Sequence, residues 1–306
     1  MNVLVTGGLG FIGTHVSQKF SETANVTIID LPEKVFQYSG NLREKNEIIG
    51  CDISHWDSVK KLENKTFDLI VHCAAQSGGY GGLETPQLDC DWNAKGTLNM
   101  CELSLRTGKP KIVYTSSVAV YGGGDDLSEN DIPSPISNYG VSKLTGELYL
   151  DRYKAYGIDT VSLRLFNTYG PGQDLENKRQ GVVSIFLEQL LENDNVRMTG
   201  SPDRYRDCIH VSDVVNAIVV VSEMSSKISG AINVCNRVPV TMRDIVETLG
   251  RVMKKEVTIE DVGGYPGDQF GYYGDNTKLR SLGWAPMFSL EEGFNNFYNS
   301  VKTLEG

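Results

Sequence analysis

The first half of the chain alternates short, wholly apolar runs with longer amphipathic stretches. Apolar runs of this kind are typical of strands buried on both faces, as in a parallel sheet covered by helices. The candidate strands are Val3–Val5, Val26–Ile29, Ile48–Ile49, Leu69–His72, Ile112–Thr115 and Thr160–Leu165. The candidate helices between them are Phe11–Glu22, Asp57–Glu63, Pro86–Thr107 and Asn138–Tyr156. The pattern predicts an α/β fold with a doubly wound parallel sheet of the Rossmann type and right-handed crossovers.

The alternation of strands and helices ends at the turn sequence Tyr169-Gly170-Pro171-Gly172, whose glycines and proline are typical of a loop. After it, a helical stretch over Gly181–Glu192 precedes short strands, small helices and a further loop at 263–267. A chain of 306 residues has room for two lobes, since one domain usually takes about 100–200 residues. We therefore predict a sheet domain over residues 1–169 and a smaller α/β lobe over residues 170–306, with some of its segments returning to the first sheet.

Composition argues against several classes of function. The chain has 29 basic and 39 acidic residues and a net charge of −10, which disfavours a surface for nucleic acid or anionic membrane. Its 6 cysteines include no C-x-x-C pair, which favours buried thiols in a reducing cytoplasm over disulfides or structural zinc. The strongest apolar run, Ala217–Val221, is far shorter than the roughly 20 residues that span a bilayer. We predict a soluble, cytoplasmic protein that binds no metal, nucleic acid or membrane.

The first predicted strand leads into a turn in which Gly7, Gly10 and Gly13 recur at every third position, and a helix follows. A strand, such a turn and a helix form the context in which backbone N–H groups bind a dinucleotide pyrophosphate. Asp30 ends the second strand, and a carboxylate there accepts ribose hydroxyls and repels a 2′-phosphate, which favours NAD over NADP. Asp52, after the third strand, lies either beside the adenine amino group or simply in a turn. The first lobe is therefore predicted to bind NAD, and the second to bind the substrate.

Two segments after later strands carry candidate chemistry. One ends a predicted strand with Ser117, and the other places Tyr139 and Lys143 four residues apart, so that both lie on one face of a helix. A tyrosine is a poor base at neutral pH because its pKa is about 10. A neighbouring ammonium and the positive charge of oxidised nicotinamide both favour the phenolate. We predict Tyr139 as the base, assisted by Lys143, with Ser117 sharing a hydrogen bond to the same substrate hydroxyl.

An ordered set of motifs extends along nearly the whole chain. It comprises the glycine turn, Asp30, His72-Cys73-Ala74-Ala75, the stretch Ser116–Gly122, Tyr139 with Lys143, Arg164-Leu165-Phe166-Asn167, Tyr169-Gly170-Pro171-Gly172, Arg206-Asp207-Cys208-Ile209-His210-Val211 and Gly267-Asp268. This set resembles the extended short-chain dehydrogenase/reductase superfamily and, within it, the NAD-dependent nucleotide-sugar epimerase/dehydratase family. The resemblance implies a tightly held NAD and a nucleoside-diphosphate-sugar substrate.

The resemblance also implies a role for each matching position. Tyr139 would be the catalytic base, Lys143 would hold the nicotinamide ribose and lower the tyrosine pKa, and Ser117 would orient the substrate hydroxyl. The implied cofactor-binding residues are Gly7, Gly10, Phe11, Ile12, Gly13, Asp30, Asp52, Ile53, Cys73, Ala74, Ala75, Asn93, Tyr139, Lys143 and Phe166. The implied substrate-binding residues are Ser117, Tyr139, Asn167, Arg206 and Asp268. The family's usual homodimer would form through helices 86–107 and 138–157.

The residues after Ser117 bear on the type of reaction. Relatives that dehydrate or decarboxylate their substrates resemble one another in an acidic residue just after the catalytic Ser or Thr, whereas Val118-Ala119-Val120 follows here. Abstracting a proton from carbon needs such an extra base. The sequence therefore favours a 4-epimerase for a UDP-hexose, UDP-N-acetylhexosamine or UDP-uronate, acting by oxidation at C4, rotation of the 4-keto sugar and hydride return. The alternatives are an NAD(H)-dependent keto-sugar oxidoreductase, a dehydratase of the same superfamily, and a non-catalytic NAD-sensing protein.

One late loop departs from the family's pattern. The family usually has an arginine where Tyr265 stands, and a second arginine matters because bidentate contacts to phosphate are strong. Its loss leaves Arg206 as the main candidate for the diphosphate. Residues that would assist it are Arg204, Lys178, Arg179 or Arg237. The glycine-rich stretch Gly78–Gly82 supplies either flexible backbone beside the sugar or an exposed loop.

Overall fold

The computed structural model describes residues 1–77, 85–177, 181–224, 228, 230–263 and 270–305. The strands are β1 (Asn2–Thr6), β2 (Asn25–Asp30), β3 (Glu47–Gly50), β4 (Leu69–His72), β5 (Lys111–Ser117), β6 (Gly124–Leu127), β7 (Thr160–Leu165), β8 (Asn167–Tyr169), β9 (Asn195–Met198), β10 (Tyr205–His210), β11 (Gly230–Val234), β12 (Pro239–Thr241), β13 (Thr258–Asp261) and β14 (Gly271–Gly274). The α-helices are α1 (Phe11–Phe20), α2 (Pro32–Gln37), α3 (Leu42–Lys45), α4 (Trp56–Val59), α5 (Pro86–Leu88), α6 (Gly96–Arg106), α7 (Asn138–Lys154), α8 (Val182–Glu192), α9 (Val211–Glu223), α10 (Met242–Met253), α11 (Thr277–Arg280) and α12 (Leu290–Glu305). The 3₁₀ turns are Lys60–Leu62 and Val118–Val120, and a π-helical turn covers Asp89–Lys95.

The larger sheet has seven strands in the order β11-β7-β5-β4-β1-β2-β3. β1 lies parallel to β2 on one side and to β4 on the other, and β4 in turn lies parallel to β5. The strand order therefore reverses between β1 and β4. This is the arrangement of a Rossmann-type sheet, in which ligands bind at the carboxyl ends of the strands beside that reversal. The predicted fold class is confirmed.

Burial on both faces explains why these strands are apolar throughout. Leu4 of β1 belongs to a core cluster with Met100 of α6 and Leu150 of α7. Successive side chains of a strand point to opposite faces, and Val3 and Val5, on the other face, are also fully buried. A strand covered on both sides loses the alternation of polar and apolar residues, so it reads as a continuous apolar run.

The predicted helix over 86–107 is interrupted. A π-helical turn over Asp89–Lys95 separates α5 from α6, and the additional residue in such a turn changes which side chains face inward. Here Asn93 is fully buried. Its amide donates to the carbonyl oxygen of Gln76 at 3.0 Å and to Ser142 Oγ at 2.9 Å. These hydrogen bonds stabilise the irregular turn, and the helical periodicity of the segment does not indicate them.

The chain forms two compact units. The first comprises Met1–Gly122, Ile132–Arg164 and Val215–Ile232, and the second comprises Gly123–Asp131, Leu165–Val214 and Asn233–Gly306. In the second unit β10 pairs with β8, β12 and β14, and β14 pairs with β6. Cofactor binding by the first lobe and substrate binding by the second stay predictions. Within the described ranges, no helix has both the length and the apolar character that crossing a membrane requires.

Candidate active site

The glycine turn after β1 has the close backbone contacts that its motif predicts. Gly7 has a positive φ of 63°, and a Cβ atom there would lie 2.7 Å from the backbone of Ala74. A Cβ atom at Gly13 would lie 2.0 Å from the carbonyl oxygen of Gly7. Gly10 is the N-cap residue of α1, which begins with Phe11 and Ile12. A bare backbone at the N-terminus of a helix fits the approach of a pyrophosphate group.

Asp30 ends β2, as predicted, and only 6% of its surface is exposed. Its Oδ2 accepts a hydrogen bond from Leu9 N and its Oδ1 one from Leu31 N, both at 2.9 Å. A carboxylate has about four acceptor positions, so both oxygens keep capacity for ribose hydroxyls. Asp52 Oδ1 accepts from the N and Oγ of Ser54 at 2.9 and 2.8 Å, which is the bonding of a turn residue, and its Oδ2 lies 3.7 Å from His55 Nε2.

A buried hydrogen-bonded chain connects the end of β1 with the π-helical turn. The backbone N–H of Ala74 donates to Thr6 Oγ1 at 3.1 Å, and Thr6 Oγ1 lies 2.7 Å from His72 Nδ1. His72 Nε2 lies 3.1 Å from Thr97 Oγ1, which itself donates to the carbonyl oxygen of Asn93 at 2.6 Å. These directions require a proton on Nε2 and none on Nδ1. Burial lowers the pKa of His72 to about 3, so the ring is neutral.

The same chain reaches the helix that carries the predicted base. Asn93 donates to Ser142 Oγ, which donates to the carbonyl oxygen of Tyr139 at 2.8 Å. Within the described ranges, the buried Oδ1 of Asn93 and Oδ2 of Asp89 have no hydrogen-bond partner. Burial raises the pKa of the Asp89 carboxyl, although Lys143 opposes that shift. The implied cofactor residue Asn93 therefore presents a free acceptor atom beside the predicted catalytic helix.

The predicted triad lies in the first unit, where β5 ends and α7 begins. Ser117 Oγ accepts from Ala119 N at 3.2 Å and caps the 3₁₀ turn. Lys143 Nζ lies 5.9 Å from the ring centre of Tyr139, so the two side chains share one helix face as predicted. A Cβ atom at Gly140 would lie only 2.4 Å from the carbonyl oxygen of Ala119. The first turn of α7 therefore packs closely against the turn that follows Ser117.

Lys143 occupies an unusual environment for a lysine. It is buried, with 2% of its surface exposed, and its Nζ donates to the carbonyl oxygen of Thr115 at 2.7 Å. Its Nζ also lies 4.7 Å from the ring centre of Tyr114. Burial lowers the pKa of Lys143 to about 8, and interactions with Cys73, Glu147 and Asp89 oppose that shift. The pKa of Lys143 therefore lies near neutral pH. Shifted pKa values of this kind are expected of residues that assist a base.

Other implied residues of the first unit surround this edge of the sheet. Cys73, Ala74 and Ala75 directly follow β4, and burial raises the pKa of the Cys73 thiol to about 12. Ile53 belongs to the core cluster of that unit. Sequence reasoning assigned no role to His72, Thr6 or Thr97. The signal was a polar residue at the end of each of two apolar strands, since Thr6 and His72 are partners in the register.

Two of the implied substrate residues, Asn167 and Arg206, belong to the second unit and lie around one tyrosine, Tyr272. The hydroxyl of Tyr272 donates to Asn167 Oδ1 at 3.1 Å. The guanidinium of Arg206 lies 4.7 Å from the Tyr272 ring centre, and the Phe166 ring lies 6.3 Å from it, edge to face. Sequence reasoning missed Tyr272, which lies on β14 beside β10. The structure brings Phe166, Asn167 and Arg206 together in the second unit.

The remaining positive candidates for the diphosphate have different surroundings. Arg237 forms ion pairs with Asp126 at 3.1 Å and Asp275 at 2.7 Å. Arg204 Nε donates to the carbonyl oxygen of Ser201 at 3.2 Å. Several predicted positions lie outside the described residues, namely Gly78–Gly82, Lys178, Arg179, Tyr265 and Asp268.

Comparisons with known proteins identify a family that the chain matches. The model of the NAD dependent epimerase/dehydratase family matches residues 3–235. A protein of Methanocaldococcus jannaschii, named provisionally as a UDP-glucose 4-epimerase, is 33% identical over 308 residues, covering 98% of each chain. UDP-glucuronic acid decarboxylase 6 of Arabidopsis thaliana is 31% identical over 309 residues, covering 96% of this chain and 86% of its own.

A solved structure is similar over the full length. The UDP-glucose 4-epimerase of Thermotoga maritima, crystallised with UDP-glucose, superposes with a TM-score of 0.90 at 29% identity, and the match covers 100% of both chains.

Proposed function

The chain belongs to the NAD-dependent epimerase/dehydratase family, and we propose that it is an NAD-dependent 4-epimerase of UDP-sugars. The observation that carries the proposal is the buried Lys143 beside Tyr139, on a helix that packs against the turn after Ser117. The relatives and solved structures that resemble the chain include UDP-sugar 4-epimerases. The proposed substrates are UDP-hexose, UDP-N-acetylhexosamine or UDP-uronate.

The residues that would hold the cofactor lie in the first unit for the most part. The backbone at Gly7 and Gly13, which carries no side chain, suits a pyrophosphate, and Asp30 suits the adenosine ribose. Asn93 Oδ1, which has no partner among the described residues, suits a polar group. Bound NAD supplies the hydride chemistry at C4 of the sugar. The proposed cofactor site also includes the main chain and side chains of Phe11, Ile12, Asp52, Ile53, Cys73, Ala74, Ala75 and Phe166.

Each member of the triad has a distinct proposed task. The phenolate of Tyr139 accepts the proton of the C4 hydroxyl and returns it when the ketone is reduced again. The Lys143 ammonium stabilises that phenolate, because an opposite charge nearby favours the ionised form. The Ser117 hydroxyl orients the substrate hydroxyl towards Tyr139. Asn167, Arg206 and Asp268 of the second unit are proposed to bind the rest of the substrate.

The surroundings of Ser117 favour epimerisation over elimination or decarboxylation. The 3₁₀ turn after it consists of apolar residues, and Val118 and Val120 are buried. A second acid or base for carbon chemistry is therefore missing from this turn, and the triad alone is sufficient for reversible oxidation of a hydroxyl. A decarboxylase among the relatives keeps that reaction as the alternative outcome to test.

The test is a panel of UDP-glucose, UDP-N-acetylglucosamine and UDP-glucuronate, followed through their anomeric proton signals by NMR. One of these substrates is expected to reach equilibrium with its C4 epimer without net formation of NADH. Tyr139→Phe should lower the rate by about 100-fold to 10,000-fold, the usual contribution of a general base, while NAD remains bound. Stoichiometric NADH, or loss of the carboxylate from the uronate, would contradict the proposed reaction.

The proposed homodimer rests on an exposed apolar pair on α7. Val141 is 50% exposed and Leu148 is 62% exposed, and residues seven apart lie on one face of a helix. This pair supports the predicted contact through helices 86–107 and 138–157. Light scattering on the purified protein is expected to give the mass of a dimer, and Leu148→Asp is expected to shift it towards the monomer. A monomeric wild type would contradict the proposal.

A further inference from the structure

A buried ion pair lies one helical turn beyond Lys143. Arg164 of β7 contacts Glu147 of α7 through two parallel hydrogen bonds, with Nε at 3.0 Å from Oε1 and an Nη at 2.7 Å from Oε2. The side chains are only 5% and 9% exposed. The guanidinium also lies 4.6 Å from the ring centre of Tyr121. A bidentate pair of this kind fixes the orientation of both groups.

Glu147 connects this ion pair to the end of β5. The hydroxyl of Ser116 donates to Glu147 Oε1 at 2.5 Å, and Ser116 directly precedes the predicted catalytic Ser117. The preceding residue, Thr115, accepts the hydrogen bond from Lys143. Two consecutive residues of β5 are thus bonded to two residues of α7 that lie one turn apart. The strand end and the helix face cannot shift past each other without breaking these bonds.

Glu147 is also one of several groups whose charge acts on Lys143. Lys143 is faced by Cys73 and His72 of the β4 end, Asp89 of the π-helical turn, Tyr114 of β5, and Tyr139 and Glu147 of its own helix. Glu147 carries its negative charge in a bidentate pair that is itself buried. Removing one partner of such a pair leaves an uncompensated buried charge, which is strongly unfavourable.

We propose that Glu147 and Arg164 are positioning residues of the active site: their ion pair holds Ser117 at the end of β5 against the helix face of Tyr139 and Lys143, and the Glu147 carboxylate supports the ammonium of Lys143. The inference rests on the proposed epimerase function for its kinetic consequences. Its electrostatic consequence can be measured without any substrate. The spacing of Tyr139, Lys143 and Glu147 at every fourth residue is the sequence signal of this arrangement.

The experiment uses two variants. Glu147→Gln keeps the shape of the side chain and removes its charge. Arg164→Lys keeps the positive charge and removes the guanidinium that forms two parallel hydrogen bonds. Glu147→Gln is expected to lower kcat by about tenfold to 100-fold, the usual effect of a small misplacement of catalytic groups, with little change in KM. Since the carboxylate favours the ammonium form, its removal lowers the pKa of Lys143, and the alkaline decline of kcat moves to lower pH. Arg164→Lys should lower kcat but keep the pH profile of the wild type.

Asp159→Asn serves as the matched control. Asp159 pairs with Lys111 at 3.5 Å and is partly buried, but that pair lies where β5 and β7 begin, at the opposite ends of these strands from Ser116 and Arg164. Its kcat and pH profile should equal those of the wild type. The proposal would be overturned if Glu147→Gln had the same kcat and the same pH profile as Asp159→Asn. If Glu147→Gln fails to fold, Glu147→Gln with Arg164→Met removes both buried charges and should still show the shifted pH profile.

A substrate-free measurement separates this inference from the proposed function. NMR titration of isotope-labelled lysines, with the Lys143 signal identified by its loss in Lys143→Met, reports the charge of Lys143 directly. The signal is expected to titrate at lower pH in Glu147→Gln than in the wild type. Equal titration in both proteins would overturn the inference even if the enzyme epimerises UDP-sugars. A wild type that converts no UDP-sugar, with the titration shifted as expected, would overturn the proposed function alone.

Discussion

The ends of β4 and β5 are neighbours in the sheet, yet they carry opposite kinds of buried polar network. At β4, His72 is neutral and has a threonine at each ring nitrogen. At β5, Lys143, Glu147 and Arg164 bring three charged groups into the interior. The ring of Tyr114 lies between the two networks, stacked on His72 with 5.3 Å between ring centres and 4.7 Å from Lys143 Nζ.

The difference lies in what each network does for the protein. A buried polar network whose members are paired stabilises one arrangement of the fold, and in the neutral chain both ring nitrogens of His72 have a partner. A buried charge costs free energy of folding, and burial accordingly lowers the pKa of Lys143 to about 8. A charge kept where burial disfavours it is expected where the chemistry needs it. We therefore propose that the β4 network serves stability and that the β5 network serves the proposed chemistry.

Among the variants that compare the two networks, Lys143→Met is expected to have the largest effect. Methionine fills the buried space but carries no charge to stabilise the Tyr139 phenolate, so kcat should fall by about 100-fold or more. Because a desolvated charge is removed, the free energy of unfolding should stay the same or rise by about 1 kcal/mol. Steady-state kinetics and urea denaturation measure the two quantities.

Lys111→Met is the control for that substitution. Lys111 is partly buried at the start of β5, the strand to which Lys143 is hydrogen-bonded through Thr115. Its Nζ donates to the carbonyl oxygens of Val221 and Met224 at 2.7 and 3.0 Å. Its replacement should leave kcat unchanged and lower stability by about 1 kcal/mol. Lys143→Met would contradict the proposed difference between the two networks if it lost much of its stability and lost activity only in proportion to the unfolded fraction.

His72→Gln should affect stability more than kcat, the opposite of what is expected for Lys143→Met. The glutamine amide replaces the Nε2 donor to Thr97 but leaves Thr6 without its acceptor, so the free energy of unfolding should fall by about 1 to 3 kcal/mol. The value of kcat should fall by less than about tenfold, since no group that contacts the proposed substrate is removed. If kcat fell as far as in Lys143→Met while the protein stayed folded, the β4 network would also serve the chemistry.

The pH dependence of stability provides a second measure of His72. Its pKa is about 3 in the folded protein and about 6.5 in an unfolded chain, so the unfolded state binds more protons between those values. Its contribution is present above pH 6.5 and is lost as the pH falls, by about 1.4 kcal/mol per pH unit. Between pH 7 and pH 5 the wild type should therefore lose about 2 kcal/mol more than His72→Gln. If the wild type and His72→Gln lost equal free energy of unfolding between pH 7 and pH 5, the pKa of His72 would not be lowered in the folded protein.

The sequence predicted those parts of the site that depend on local spacing. The apolar run of β1, the glycine turn and the shared face of Tyr139 and Lys143 each follow from residues close in the chain, and the structure has all three. The π-helical turn that buries Asn93 was not predicted, because its hydrogen bonds to Gln76 and Ser142 are made across the fold.

Contacts between elements that are distant in the sequence explain the other omissions. Arg164 appeared in the sequence only as part of a motif, and its pairing with Glu147 depends on the packing of α7 against β7. The grouping of Phe166 and Arg206 around Tyr272 depends likewise on the pairing of β10 with β14. Neither pairing has a periodicity that a single sequence reveals.

The smallest effect is expected from Tyr114→Phe. This substitution keeps the ring that lies between the two networks, so both the stacking on His72 and the contact with the Lys143 ammonium should persist. In Tyr114→Phe the free energy of unfolding should change by less than about 1 kcal/mol and kcat by less than about twofold. Tyr114→Leu removes the ring. It should lower the pKa of Lys143, because a cation over an aromatic face is stabilised. Kinetics and the lysine NMR titration on both variants measure this. A Tyr114→Phe variant as impaired as Tyr114→Leu would show that the hydroxyl, rather than the ring, connects the neutral network to the charged one.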